Sequence, residues 1–112
     1  MPVEKWSDRV VVARLADDPS LTEDLLTLDQ TPNHGPHDIV LDFSSVNYLN
    51  SSHLSRLLKL RKKMAADEGR LMLCGVCNQV WGAFLVTGLD KVFHFSDDVT
   101  TALATLQIGE EA

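Results

Sequence analysis

A chain of 112 residues, 45% hydrophobic and 23% charged, has material for one compact domain and one core, with no room for a large buried active-site cavity beside it. Its formal net charge of −6 at pH 7 argues against a phosphate-neutralising surface, so nucleic acid is not an expected partner. No run approaches the ~20 apolar residues of a membrane span, and Met1-Pro2-Val3-Glu4-Lys5-Trp6 is no basic-then-apolar leader. Two cysteines make no disulfide scaffold. The expectation is a cytoplasmic protein with no membrane association.

In chain order, Val3 to Trp6 reads as a short strand turning near Ser7-Asp8 into a second strand, Arg9-Val10-Val11-Val12-Ala13-Arg14-Leu15, rich in β-branched residues. A helix is predicted from Ser20, where Ser20 and Glu23 have capping-box spacing and Pro19 suits the entrance. Leu21, Leu25 and Leu28 line its face. Thr31 to His37, with two prolines and a glycine, reads as a loop. Asp38-Ile39-Val40-Leu41-Asp42-Phe43 is nearly continuous in apolar residues, as in a strand covered on both faces.

After Val46, Tyr48 and Leu49, a helix opens at Asn50-Ser51-Ser52. Leu54, Leu57, Leu58, Arg61 and Ala65 set its apolar stripe, with Leu60 and Met64 widening it. Its second half holds the one basic concentration, Arg56, Lys59, Arg61, Lys62 and Lys63, where cations complement the helix dipole. Gly69 stands where a left-handed helix end is expected. Arg70 to Cys74 is the next strand. Val80, Trp81, Phe84 and Leu85 mark a helix closed by Gly88, and Val92-Phe93-His94-Phe95 a short strand. Ser96 and Asp97-Asp98 cap a last helix with Val99, Ala102, Leu103 and Leu106.

The alternation predicts an α/β fold, a mixed, mainly parallel sheet of four to five strands with about four helices, in one domain over residues 1–108 with a short tail at 109–112. Functional residues in such sheets gather past the carboxyl ends of the strands. Two places qualify: Asn50-Ser51-Ser52-His53 and Cys74-Gly75-Val76-Cys77.

The strand Ile39–Phe43, the spacer ending in Tyr48-Leu49 and the helix opening Asn50-Ser51-Ser52 resemble the STAS domain of bacterial anti-sigma factor antagonists and sulfate transporter tails. Leu71-Met72-Leu73-Cys74, the Thr87-Gly88-Leu89 segment and Ala102-Leu103 continue the likeness over roughly residues 38 to 107. In that family an apolar pair leads into Asp-Ser-Ser/Thr-Gly, whose first serine is phosphorylated by a partner anti-sigma kinase. The resemblance therefore implies a STAS-like, non-enzymatic binding module. It would dock an anti-sigma factor, a serine kinase of the histidine-kinase-like ATPase type, through Asn50, Ser51, Ser52, His53 and Leu54, with Ser51 as the phosphorylation site. This chain departs from the pattern at Asn50 (Asp in the family), at His53 (Gly) and at Ala16-Asp17-Asp18-Pro19, where the family has Gly-x-Leu-Asp. If the Asp serves phosphotransfer, Asn50 makes the chain a poor kinase substrate, and a non-phosphorylated scaffold or adaptor is the second reading.

A third reading comes from Cys74 and Cys77, a Cys-x-x-Cys between a strand and a helix, as in small thiol oxidoreductases. Against it, the motif comes late in the chain, and Pro2, Pro19, Pro32 and Pro36 all precede it. The ordinary alternative is a core cysteine followed by a helix-opening one. His34 and His37 with the two cysteines would make a zinc set by number. In parallel neighbours, however, the two pairs fall at opposite sheet ends, ~15–20 Å apart at about 3.3 Å per residue. No metal and no cofactor are expected. His53 and His94 have no evident partner, His94 is expected to point opposite Phe93 and Phe95, and Trp81 and Phe84 read as core.

Overall fold

The computed structural model describes residues 3–5, 9–30 and 38–111, and their side chains except at 4, 5 and 108–111. Trp6, the Ser7-Asp8 turn and the segment 31–37 lie outside the described residues. Among those described, the elements are β1 (Val3–Lys5), β2 (Val10–Ala16), α1 (Ser20–Gln30), β3 (Asp38–Ser45), α2 (Ser51–Ala66), β4 (Arg70–Cys74), α3 (Asn78–Thr87), a 3-10 turn (Leu89–Lys91), β5 (His94–Ser96) and α4 (Val99–Glu111). The last helix runs past residue 108.

The sheet order is β1-β2-β3-β4-β5, with β1 antiparallel to β2 and the other neighbours parallel. Parallel neighbours need crossover helices, and successive crossovers of one hand in one direction put α1, α2 and α3 on the same face. The core follows. Ala13, Leu15, Leu41, Phe43 and Leu73 pack with Leu21, Leu25, Leu57, Leu60, Val80 and Phe84 from those three helices. On the opposite face Val12, Val40, Met72 and Cys74 meet Ala102 and Leu106 of α4. β3 is thus covered on both sides, which accounts for its unbroken apolar run.

Polar contacts fix the element ends. Asp38, buried at the start of β3, accepts the Arg70 backbone N–H at 2.9 Å and two guanidinium bonds at 3.2 and 2.8 Å, locking β3 to β4. Lys63 reaches back from α2 to the carbonyls of Leu28 and Asp29, satisfying the end of α1.

Several local expectations need correction. The cap of α1 is Asp18, not Ser20. Its Oδ1 accepts the Thr22 N–H at 2.9 Å, while Ser20 donates to Asp24 and the Glu23 amide goes to the Pro19 carbonyl. A carboxylate standing just before the proline reaches over the first turn better than a hydroxyl inside it. The left-handed residue after α2 is Glu68 (φ 61), with Gly69 one step on. The Gly69 amide bonds Met64 O at 2.7 Å and the Glu68 amide bonds Ala65 O at 3.1 Å, a Schellman ending shifted by one residue. The buried stripe of α2 is His53, Leu54, Leu57, Leu60 and Met64, and Leu58, Arg61 and Ala65 face outward. Finally, Val92 and Phe93 precede β5, because the 3-10 turn takes up the chain after Gly88.

Candidate functional site

The carboxyl ends of β2 and β3 lie side by side, and the loops leaving them are tied together. From the first loop, Asp17 accepts the Asn47 N–H at 2.8 Å and the Asn47 side-chain amide at 2.9 Å. Those two bonds hold its carboxyl below the usual 3.8. Val46 and Leu49 are buried, Asn47 and Tyr48 face solvent, and the chain arrives extended at Asn50 (φ −107, ψ 177).

Asn50 and His53 then form a reciprocal cap. Asn50 Oδ1 accepts the His53 N–H at 3.0 Å, and the Asn50 N–H donates to His53 Nδ1 at 3.1 Å. With Nδ1 accepting, the ring proton is assigned to Nε2 from the hydrogen-bond pattern. Nε2 lies 2.8 Å from Asp18 Oδ2 and 3.2 Å from Thr22 Oγ1. Thr22, by side chain and backbone, and then His53 hold the Asp18 carboxyl below its ordinary value. His53 is 1% exposed. The histidine without an evident partner in the sequence therefore has three, and it joins the start of α2 to the start of α1.

The predicted docking segment is divided by this geometry. Ser51 and Ser52 are exposed, Asn50 is half-buried, and His53 and Leu54 are buried beneath them. Helix geometry leaves the first amides without intrahelical acceptors, and Asn50 takes that of His53, so those of Ser51 and Ser52 belong to the open end. The arrangement presents hydroxyls on a braced helix start. His53 Nδ1 is occupied by the Asn50 amide and so is not free to take a proton from them.

The cysteine motif is built differently. Cys74 ends β4 fully buried, its thiol pushed up to about 12 by burial and then by the carboxylates of Asp42 and Asp98. Thiol–disulfide chemistry needs the reverse shift. Cys77 is half-buried at the start of α3, Sγ 3.7 Å from the Val46 carbonyl, and both thiols are free. Cys74 pairs with Asp42, four residues beyond Asp38 on a parallel neighbour, at the far end of β3 from its start. His34 and His37 themselves lie outside the described residues. His94 is exposed. Trp81 and Phe84 pack edge-to-face with Phe95, at 4.9 and 5.1 Å between ring centroids, as core rings do.

Sequence reasoning missed two features. Gly75 has φ +69, and a Cβ there would stand 3.0 Å from Asp42 Oδ1 and 3.1 Å from Ser44 N, so the loop after β4 needs a glycine. Beside it, on the α4 face, a groove of about 700 Å³ is lined by Val12, Arg14, Asp42, Asp98 and Leu103 among others. An Arg14–Asp42 ion pair of 3.1 Å forms part of its wall. Opposite charges at Arg14 and Asp42 on neighbouring strands were the available signal for that pair. No helix among the described residues is long and apolar enough to cross a membrane.

Comparison with known proteins supports this architecture. A curated anti-sigma-B factor antagonist of Staphylococcus epidermidis is 27% identical over 79 residues, 70% of each chain. A solved putative anti-sigma factor antagonist of Thermotoga maritima superposes with a TM-score of 0.81 at 20% identity, covering 95% of this chain and 93% of that one. The Bacillus cell fate determinant SpoIIAA, solved in its phosphorylated form, gives 0.72 at 17% identity over 94% and 97%. Likenesses at that identity speak for the fold. The family profile described as STAS domain matches residues 4–102, from the first strand into the last helix. With nearly the whole sheet and its helices inside that match, the chain belongs to the STAS domain family.

Proposed function

We propose that this chain is a regulatory protein-binding module of the anti-sigma factor antagonist type, with Ser51 as its phosphorylation switch. It docks an anti-sigma factor that is also a serine kinase of the histidine-kinase-like ATPase type. The docking surface is the solvent side of Asn50–Leu54, where Ser51 and Ser52 make contact and His53 and Leu54 hold them from below. One observation carries the reading: the Ser51 hydroxyl is exposed on the first turn of a helix whose start is braced by Asn50, His53 and Asp18. The name of the Staphylococcus relative and the phosphorylated form of the Bacillus protein support it.

The switch is electrostatic. A phosphoryl group adds about −1.5 to −2 charges at neutral pH, and a helix N-terminus accommodates that charge without rearrangement. A partner packed on a neutral hydroxyl would instead meet a hydrated dianion and leave. Incubation with an anti-sigma kinase from the same genome and ATP, followed by intact mass, tests this. The expected result is the mass of one phosphoryl group, absent from Ser51→Ala, and loss of kinase binding by the phosphorylated form.

Asn50 favours a second reading, because its amide caps the helix yet brings no carboxylate to a phosphotransfer. In that case the chain is a permanent scaffold. Undiminished binding with no mass gain is its signature.

A further inference from the structure

Helix α2 has no acidic residue between Ser51 and Ala66 and five basic ones, on a chain of net charge −6. Two of the five have structural work. Lys63 satisfies the last carbonyls of α1, and Arg61 Nε donates to the Val92 carbonyl at 3.0 Å. Arg56 differs. Its Nε is shut off from solvent and has no hydrogen-bond partner among the described residues. The Arg56 side chain lines a surface depression of about 330 Å³ together with Ser52, Ser55 and Lys59, one turn along from Ser51. Leu58, next to it on the outer face, is 37% exposed.

We infer that this depression receives a carboxylate from an acidic segment of the protein partner, which lies along the outer face of α2. The inference rests on the docking reading above and supplies the chemistry of the docked surface. A carboxylate is planar and pairs with the terminal nitrogens of a guanidinium by two parallel bonds. Lys59 and the two serine hydroxyls supply further donors. A free inorganic anion would leave Leu58 uncovered, whereas a peptide carrying the carboxylate covers it with its own carbon atoms. The positive face on a negative protein also steers an acidic segment to this helix and away from the rest of the surface.

The test titrates the full ¹⁵N-labelled chain at low salt with the peptide acetyl-Glu-Leu-Glu-Glu-Leu-Glu-amide, with its glutamine analogue, and with sodium phosphate. Saturable shifts of the Ser52, Ser55, Arg56 and Lys59 amides are expected with the glutamate peptide and not with the glutamine one. Affinity should fall about fivefold or more in Arg56→Gln and in Lys59→Gln and stay unchanged in Lys91→Gln. Equal binding by Arg56→Gln and Lys59→Gln, shifts spread over every exposed lysine, or saturation by phosphate and not by peptide would each overturn the assignment. Kinase binding separates the two readings. A kinase that binds wild type and Arg56→Gln equally leaves docking at Ser51 standing and removes the acidic segment. A kinase that binds neither, while the peptide still fills the depression, removes the kinase and leaves the acidic segment.

Discussion

Replacing His53 by alanine tests the brace under Ser51. The imidazole is 1% exposed, and it accepts the Asn50 N–H while donating to Asp18. Loss of the bond to Asp18 costs little, because that carboxylate is 44% exposed and water replaces the lost donor. Two costs remain. The Asn50 amide loses its acceptor in a half-buried position, at about 1 kcal/mol. Truncating a fully packed ring to a methyl group adds about 1–2 kcal/mol, less than the roughly 2–5 kcal/mol of apolar large-to-alanine core changes, since an imidazole has less apolar surface to lose. The sum, roughly 2–3 kcal/mol, corresponds to a fall in melting temperature of about 8–12 °C for a domain of this size. Urea unfolding followed by circular dichroism measures it, with Ser51→Ala, at an exposed position, as a control expected within about 0.5 kcal/mol of wild type. A His53→Ala protein as stable as that control would show that the histidine does not hold the helix start.

Three further outcomes follow from the same geometry. Asp17, Asp18 and Asp98 all have carboxyls held below 3.8 in the fold. Groups depressed on folding stabilise above their unfolded value and lose that contribution as pH falls through the folded one. Stability should therefore hold from neutral pH down to about 5 and drop below about 4, with a shallower drop in Asp17→Asn/Asp18→Asn, and an unchanged acid limb in that variant would contradict the hydrogen bonding assigned to both residues. With the Cys74 thiol pushed up to about 12, iodoacetamide near pH 8 should add at most one group to the native protein, at Cys77; peptide mapping that finds Cys74 labelled before unfolding would refute its burial. Gly75→Ala combines a left-handed backbone with a Cβ 3.0 Å from Asp42 Oδ1, so a loss of about 2 kcal/mol or more is expected in urea melts, and a neutral result would mean the loop relaxes freely.

Local pattern made most of the fold legible. β3 was readable because a strand buried on both faces has no polar alternation, and α3 because Gly88 closes it in the left-handed region. Pattern failed where several residues compete for one role. With Leu54, Leu57, Leu58 and Leu60 in close succession, α2 allows more than one apolar phase, and only packing against β3 and β4 selects the one through Leu57, Leu60 and Met64. Gly69 was the obvious left-handed residue, yet Glu68 takes that conformation and leaves Gly69 to make the longer backbone bond. Ser51 and Ser52 were visible as a helix opening, but their exposure and the burial of His53 and Leu54 depend on contacts about thirty residues away in sequence, which no window reveals.

Those distant contacts also change how the departures from the family pattern should be understood. Taken singly, Asp17-Asp18 in the first loop, Asn50 before the serines and His53 after them look like three separate losses. In the fold they are one assembly: Asp17 holds Asn47, Asp18 holds His53, and His53 and Asn50 cap each other. A glycine at 53 could not reach Asp18 or accept the Asn50 amide, so the family residue placed here alone would strip the helix start of its support. An aspartate at 50 could still accept the His53 N–H, but it would set a second carboxylate near Asp18 around a single imidazole. The physical consequence is that these positions can be exchanged only together. Ser51 is thus held by a helix start that Asn50, His53 and Asp18 build together.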